Sequence, residues 1–394
     1  MREIEGGITA PQGFVANGVH CGIKRGKKDL ALVATDRPCP AVGVFTTNKA
    51  AAACVHLCKA HLANETAQAI VVNSGNANCC TGERGDQDAM RLAEATARAL
   101  GCRPVDVLQT STGMIGKYLP MDSILAAVPG LVEGASESGA RPAAEAILTT
   151  DTRKKQFACR LDIEGRGVTI GAMAKGAGMV EPNMRTMLAF ITTDAVIDRA
   201  FLLGALREAT ARTFNRITVD GDQSTNDMVL VLANGRAGND EINAGFGGAR
   251  FQAALTGACR ALAKMIVKDG EGATKFLEVI VRGAATGEEA ERAARVIANS
   301  NLLKCAVHGG SPNWGRVMAA LGSTDVTFDL EKVDIAFGDV VVARGGAPAD
   351  QGSARLADIM AQDEIRLTVS LGQGTGRGVI WTCDLSRAYV DINR

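Results

Sequence analysis

The sequence predicts a mixed α/β fold, and three observations carry that expectation. Short apolar runs of strand length alternate with amphipathic, helix-period stretches along the 394 residues. The hydrophobic content, 46% of residues, is aliphatic and small, with only 2 Trp and 2 Tyr. The 45 glycines set against so few aromatics argue for tight turns and close backbone packing.

The elements follow in chain order. Gln68 to Asn73 reads as a buried strand and Asp86 to Leu100 as an amphipathic helix. Phe157 to Ala172 holds two alternating runs around Glu164-Gly165-Arg166-Gly167, a hairpin signal. Met187 to Thr193 reads as strand, Ala200 to Thr213 as helix, Met228 to Ala233 as strand and Phe251 to Lys268 as a long helix. Leu277 to Arg282 is a strand, Glu288 to Asn299 a helix, and Val333 to Ala343 a strand pair around Gly338-Asp339. Asp350 to Met360 reads as helical, and Ile365 to Leu371 and Val379 to Asp384 close the chain as strands. No repeat of fixed period and no low-complexity linker interrupts the pattern. Asn234 to Gly248 is the candidate surface excursion, and Gly272 to Phe276 the candidate domain seam.

Bulk properties exclude several classes. This length suits two or three domains and buries a core without staples. Lys+Arg and Asp+Glu both number 43, so the basic excess of a nucleic-acid binder is missing. Eleven scattered cysteines form no disulfide framework, and no apolar h-region follows Met1-Arg2-Glu3. No run reaches the roughly 20 apolar residues of a membrane helix, so the expectation is a cytoplasmic protein free of membrane and nucleic acid.

Cys54, His56, Cys58 and His61 invite a zinc reading. With Thr46 to Leu57 read as extended, residues 54, 56 and 58 stand about 6.8 Å apart on one strand face and hardly converge on one ion, so no metal is expected. Gly113-Met114-Ile115-Gly116-Lys117 and Gly270 to Lys275 lack P-loop spacing, and Lys24-Arg25-Gly26-Lys27-Lys28 reads as a solvated turn. No HExxH, GxSxG or CxxC occurs.

Five polar, Gly-rich segments remain beside apolar strands: Asn73 to Asn78, Ser111 to Gly116, Thr149 to Thr152, Met173 to Phe190, and Asp220 to Asp227. They gather hydroxyls, amides and backbone N–H groups with little charge. That inventory favours a hydroxyl nucleophile with an amide-lined oxyanion hole.

Together these segments resemble the ornithine acetyltransferases, the ArgJ family of arginine biosynthesis. The resemblance runs from Gly7-Ile8-Thr9-Ala10-Pro11 to Tyr389-Val390-Asp391-Ile392-Asn393. Its most specific part is Lys175-Gly176-Ala177-Gly178-Met179 with Pro182-Asn183-Met184-Arg185-Thr186-Met187-Leu188-Ala189-Phe190. Ser311-Pro312-Asn313-Trp314-Gly315-Arg316 and Asp269 to Lys275 add to it. The resemblance implies a layered α/β/β/α core over 1–275, which contains the cleavage site, and a C-terminal α/β region over 276–394 that helps close the site. It also implies self-cleavage between Arg185 and Thr186, giving an α chain 1–185 and a β chain headed by Thr186, paired as a heterotetramer of two of each. Thr186 would then be the nucleophile, and its freed α-amine, with an ordinary pKa of about 7.7–8.0, its base. By the same resemblance Thr112 and Gly113 stabilise the oxyanion, and Thr152, Lys175, Thr186, Glu271 and Asn393 bind substrate. Lys175 suits a substrate carboxylate and Glu271 the ammonium of ornithine.

The implied reaction moves acetyl from N-acetylornithine to glutamate through acetyl-Thr186, releasing ornithine. No cofactor is implied, and the sequence leaves open whether acetyl-CoA is a second donor substrate. Two rivals stand beside it: a related N-terminal-nucleophile aminopeptidase or amidase, and an unprocessed, non-catalytic homologue. Three departures from the family pattern are visible: Arg185 for a usual alanine, Gln223 for a usual threonine, and Cys79 within a segment usually reading NANACTG. Family members also continue past the position of Asn393 to a Ser or Thr that touches substrate.

Overall fold

The computed structural model describes residues 1–181, 187–349 and 353–394, which fall into two compact units. The first comprises Met1–Gly176, Pro182–Asn215 and Gln223–Ile266, and the second Ala177–Glu181, Arg216–Asp222 and Val267–Arg394. The sequence reading drew one cut at 275/276. The structural division instead falls inside a helix, with two short segments from earlier in the chain joining the C-terminal unit.

In the first unit the strands are β1 (Arg2–Glu3), β2 (Phe14–Val19), β3 (Leu30–Phe45), β4 (Thr66–Asn76), β5 (Val107–Met114), β6 (Lys155–Ile163), β7 (Arg166–Lys175), β8 (Leu188–Thr193) and β9 (Met228–Ala233). The helices are α1 (Ala53–Leu62), α2 (Gly82–Leu100), α3 (Met121–Glu133), α4 (Ala140–Ala146), α5 (Arg199–Ala211) and α6 (Gly248–Lys268). The strands run in the order β1-β6-β7-β8-β9-β3-β4-β5, with β2 beside β3. Pair β4·β5 is parallel and so needs a crossover, which α2 supplies; β8·β9 is parallel across α5.

Strand β3 joins two parts of this sheet. Its residues Leu30 to Ala34 pair with β4, and Ala41 to Phe45 pair with β9. Between them the register shifts, and Asp36, Arg37 and Pro38 are exposed, where proline's missing N–H costs no ladder bond. Period-two alternation then sorts the side chains. Ala31, Val33, Ile70 and Val72 face a core shared with α1, α4, Leu188, Phe190 and Leu230. Leu30, Leu32, Ala69 and Val71 face α2 and α3. The α/β class expected from the sequence is present, with β-layers meeting across one core and helices outside another.

The second unit holds β10 (Phe276–Ala284), β11 (Asp334–Phe337), β12 (Val340–Arg344), β13 (Ala347–Pro348), β14 (Glu364–Ser370) and β15 (Gly376–Cys383). Its helices are α7 (Gly287–Ala298), α8 (Asn301–His308), α9 (Trp314–Gly322), α10 (Ala354–Ala361) and α11 (Arg387–Ile392). The sheet order is β13-β12-β11-β14-β10-β15. Thr286 caps α7 by accepting the Glu289 N–H at 3.1 Å, and the helix buries Ala290, Ala293, Ala294 and Ile297 on this sheet's core.

Two local expectations are corrected. Residues 54–58 lie on helix α1, not on a strand, so Cys54 and Cys58 share a face one turn apart. That face is core: burial pushes the Cys54 thiol up to about 12 and the Cys58 thiol well above its ordinary value. The apolar run that looked extended is the buried stripe of a short helix. Thr112 and Gly113, read in a loop, end strand β5.

Candidate active site

Strands β5 and β7 of the first unit bring one group of the candidate residues together. At the end of β4·β5 the register slips between Gly75 and Asn76, a bulge that re-aims the ends of both strands. Gly113 adopts φ 133°, and a Cβ there would stand 2.2 Å from the Gly75 carbonyl carbon. Only glycine fits, and its exposed backbone is open to an approaching ligand. Asn226 secures the strand end, donating from Nδ2 to the carbonyls of Ser111 at 2.8 Å and Ala77 at 2.7 Å. Thr112 is 8% exposed, and its Oγ1 accepts from the Nζ of Lys175 at 3.3 Å. The structure therefore brings Thr112, Gly113 and Lys175 together: a hydroxyl, a backbone N–H and an ammonium group.

Beside them lies a group of charges that sequence reasoning missed. Asp151, next in the chain to the exposed Thr152, is buried and ion-paired with Lys155 at 2.7 Å. Burial pushes its carboxyl up, but the ammonium groups of Lys175 and Lys155 and the Gly176 N–H outweigh that and hold it well below the usual carboxylate range. Lys24, expected in a solvated turn, is half-buried with its Nζ donating to the Leu148 carbonyl at 2.7 Å. Burial lowers its pKa to about 8. The signal for Lys155 was faint: a cation opening an alternating strand looks like a solvated end until the strand is placed.

In the second unit Glu271 and Asn393 meet. The Nδ2 of Asn393 donates to Glu271 Oε2 at 2.6 Å, and the Glu271 N–H donates to the Ala177 carbonyl at 2.9 Å. Gly178 lies against that carboxylate, where a Cβ would stand 2.3 Å from Glu271 Oε2. Asp220, also missed, accepts the N–H groups of Met179 at 2.6 Å and Val180 at 2.8 Å and the Tyr389 hydroxyl at 3.3 Å. Burial pushes Asp220 upward against these donors, and burial beside Asp220 and Glu271 pushes Tyr389 upward. Arg185 and Thr186 lie outside the described residues. Among the described residues no group of three or more His, Cys, Asp or Glu side chains could hold a metal ion.

Chemically, the β5 end of the first unit offers hydrogen-bond donors that suit a developing oxyanion, beside a cation that suits a carboxylate. In the second unit, taken by itself, Glu271 offers an anion that suits an ammonium. The chain matches the ArgJ family over residues 15–394. It is 52% identical over 397 residues to the arginine biosynthesis bifunctional protein ArgJ of Symbiobacterium thermophilum, covering 100% of this chain and 99% of that protein. It is 46% identical to the protein of the same description from Geobacillus kaustophilus, over 99% and 95% of the two chains. Among solved structures, ornithine acetyltransferase from Mycobacterium tuberculosis complexed with ornithine is 43% identical over 46% of this chain and 98% of that one, with TM-score 0.44. The chain belongs to the ArgJ family.

Proposed function

We propose that this chain is the glutamate N-acetyltransferase of arginine biosynthesis, moving acetyl from N-acetylornithine to glutamate through an acetyl ester on Thr186. The observation that carries the reading is the near-complete match, end to end, to bifunctional ArgJ proteins. The amidase and non-catalytic alternatives have no comparable support.

The chain first attacks itself. The Thr186 hydroxyl adds to the Arg185 carbonyl, the amide nitrogen leaves, and water hydrolyses the resulting ester. The freed α-amine then takes the Thr186 hydroxyl proton as the oxygen attacks the acetyl carbonyl of N-acetylornithine. Thr112 Oγ1 and the Gly113 N–H stabilise the oxyanion, and ornithine leaves with the proton. Lys175 holds the substrate carboxylate and Glu271 the ornithine ammonium, with Thr152 and Asn393 completing the contacts. Glutamate's amine then takes the acetyl group by the reverse steps. Acetyl-CoA serves as a second donor, and α and β chains assemble as a heterotetramer in the cytoplasm. Among the described residues no helix is long and apolar enough to cross a membrane.

The test is the mass of purified protein. Fragments 1–185 and 186–394 are expected, with Thr186→Ala left as one chain. A single wild-type species after long incubation would contradict the reading, as would cleavage of the Thr186→Ala chain at the same bond.

A further inference from the structure

The β6·β7 hairpin is held in register from Lys155↔Ala174 to Ile163↔Arg166, so it needs no ion pair to align it. One nevertheless sits at its open end, fully desolvated. The side chain of Asp151 is 0% exposed and that of Lys155 1%. Burying such a pair is costly, and its worth to stability is small compared with a well-packed apolar pair. Its placement is specific. Asp151 Oδ1 accepts from Lys155 Nζ and from the Gly176 N–H, each at 2.7 Å, and Gly176 directly follows Lys175. The other oxygen, Oδ2, accepts the Thr149 N–H at 3.0 Å. A second Lys155 bond, to the Arg153 carbonyl at 3.2 Å, ties the cation to the same bend that carries Thr152.

We propose that Asp151, locked by Lys155, is the positioning residue for Lys175. Its carboxylate fixes the backbone on the C-terminal side of that lysine while the Lys175 ammonium reaches Thr112 Oγ1. One carboxylate thereby sets both the Thr149–Thr152 bend and the end of β7. The ammonium groups of Lys175 and Lys155 in turn keep the Asp151 carboxylate charged. This inference rests on the reading of Lys175 as that carboxylate's partner.

A double-mutant cycle tests it, using self-cleaved enzyme with N-acetylornithine as donor and glutamate as acceptor. Asp151→Asn keeps the side chain's shape and removes its charge. It is expected to lower kcat/KM for N-acetylornithine by about 10–100-fold, chiefly through KM, as misplacement of a binding group does. Lys175→Ala is expected to do the same, and the double variant to be no worse than Lys175→Ala alone. Losses that multiply in the double variant would mean that Asp151 acts independently of Lys175, and would overturn the proposal. So would an Asp151→Asn enzyme with native kinetics while Lys175→Ala collapses. Full activity in Lys175→Ala would instead sink the underlying reading of Lys175. If Asp151→Asn fails to fold, the neutral pair Asp151→Asn with Lys155→Met enters the same cycle with the same expectations.

Discussion

Gly113 has a left-handed backbone and no room for a side chain, so alanine there must move the N–H that we propose as an oxyanion donor. Gly113→Ala and Thr112→Ala are each expected to lower kcat by roughly 10²–10³, the cost of one oxyanion donor. Steady-state rates on N-acetylornithine check this, and native kcat in either variant would relocate the hole. Asp151 affects stability as well. Asp151→Asn leaves the Lys155 ammonium buried without its carboxylate, which costs about 3–5 kcal/mol. The sign of the pH dependence follows from a carboxyl held below its usual range in the fold. The stabilisation is complete above the unfolded value near 3.9 and is lost as pH falls through the lower folded value. Thermal melts should therefore show a constant gap between wild type and Asp151→Asn from pH 5 to 7. The gap should narrow below about pH 4; one that widened in acid would contradict the assignment. Thr112, Gly113 and Lys175 were legible because they sit in a recognisable sequence pattern. Lys24 and Asp220 were not, because their partners come from segments distant in the sequence, and Asp151 was not because its burial and its bond from the Gly176 N–H appear only once β7 is placed beside it.

At the scale of elements, regular period decided what could be read. The β6·β7 hairpin and helices α2, α5, α6 and α7 carry alternation or an amphipathic stripe, β8 and β9 are unbroken apolar runs of strand length, and each lies where the sequence places it. Strand β3 escaped because Asp36, Arg37 and Pro38 interrupt it where it changes partners, so one strand looked like none. Helix α1 escaped because a short helix whose ends are both apolar carries little periodic signal. Asn393, just past α11, reaches Glu271 from an exposed position. Asn393→Ala is expected to raise KM for N-acetylornithine by about ten- to a hundredfold, the worth of one hydrogen bond to a charged group. Little change in kcat is expected, and an unaltered KM would remove Asn393 from the binding set.

At the scale of the whole molecule, the claim is that one chain becomes two and that the new N-terminal threonine carries acetyl between two amino acids. The match across the full chain supports the acetyltransferase reading, and the grouping of Thr112, Gly113 and Lys175 supports its chemistry. The division into units was only partly visible in the sequence. The segments Ala177–Glu181 and Arg216–Asp222 join the C-terminal unit through contacts such as the Glu271 N–H with the Ala177 carbonyl and the Tyr389 hydroxyl with Asp220, which no local pattern announces. The most direct test is to supply the cleaved enzyme with N-acetylornithine and no glutamate, quench rapidly, and weigh the 186–394 chain. It should be heavier by one acetyl group, lose that mass when glutamate is added, and release N-acetylglutamate, with parallel double-reciprocal lines in the steady state. An unmodified chain with intersecting lines would mean direct transfer in a ternary complex, and would contradict the role given to Thr186.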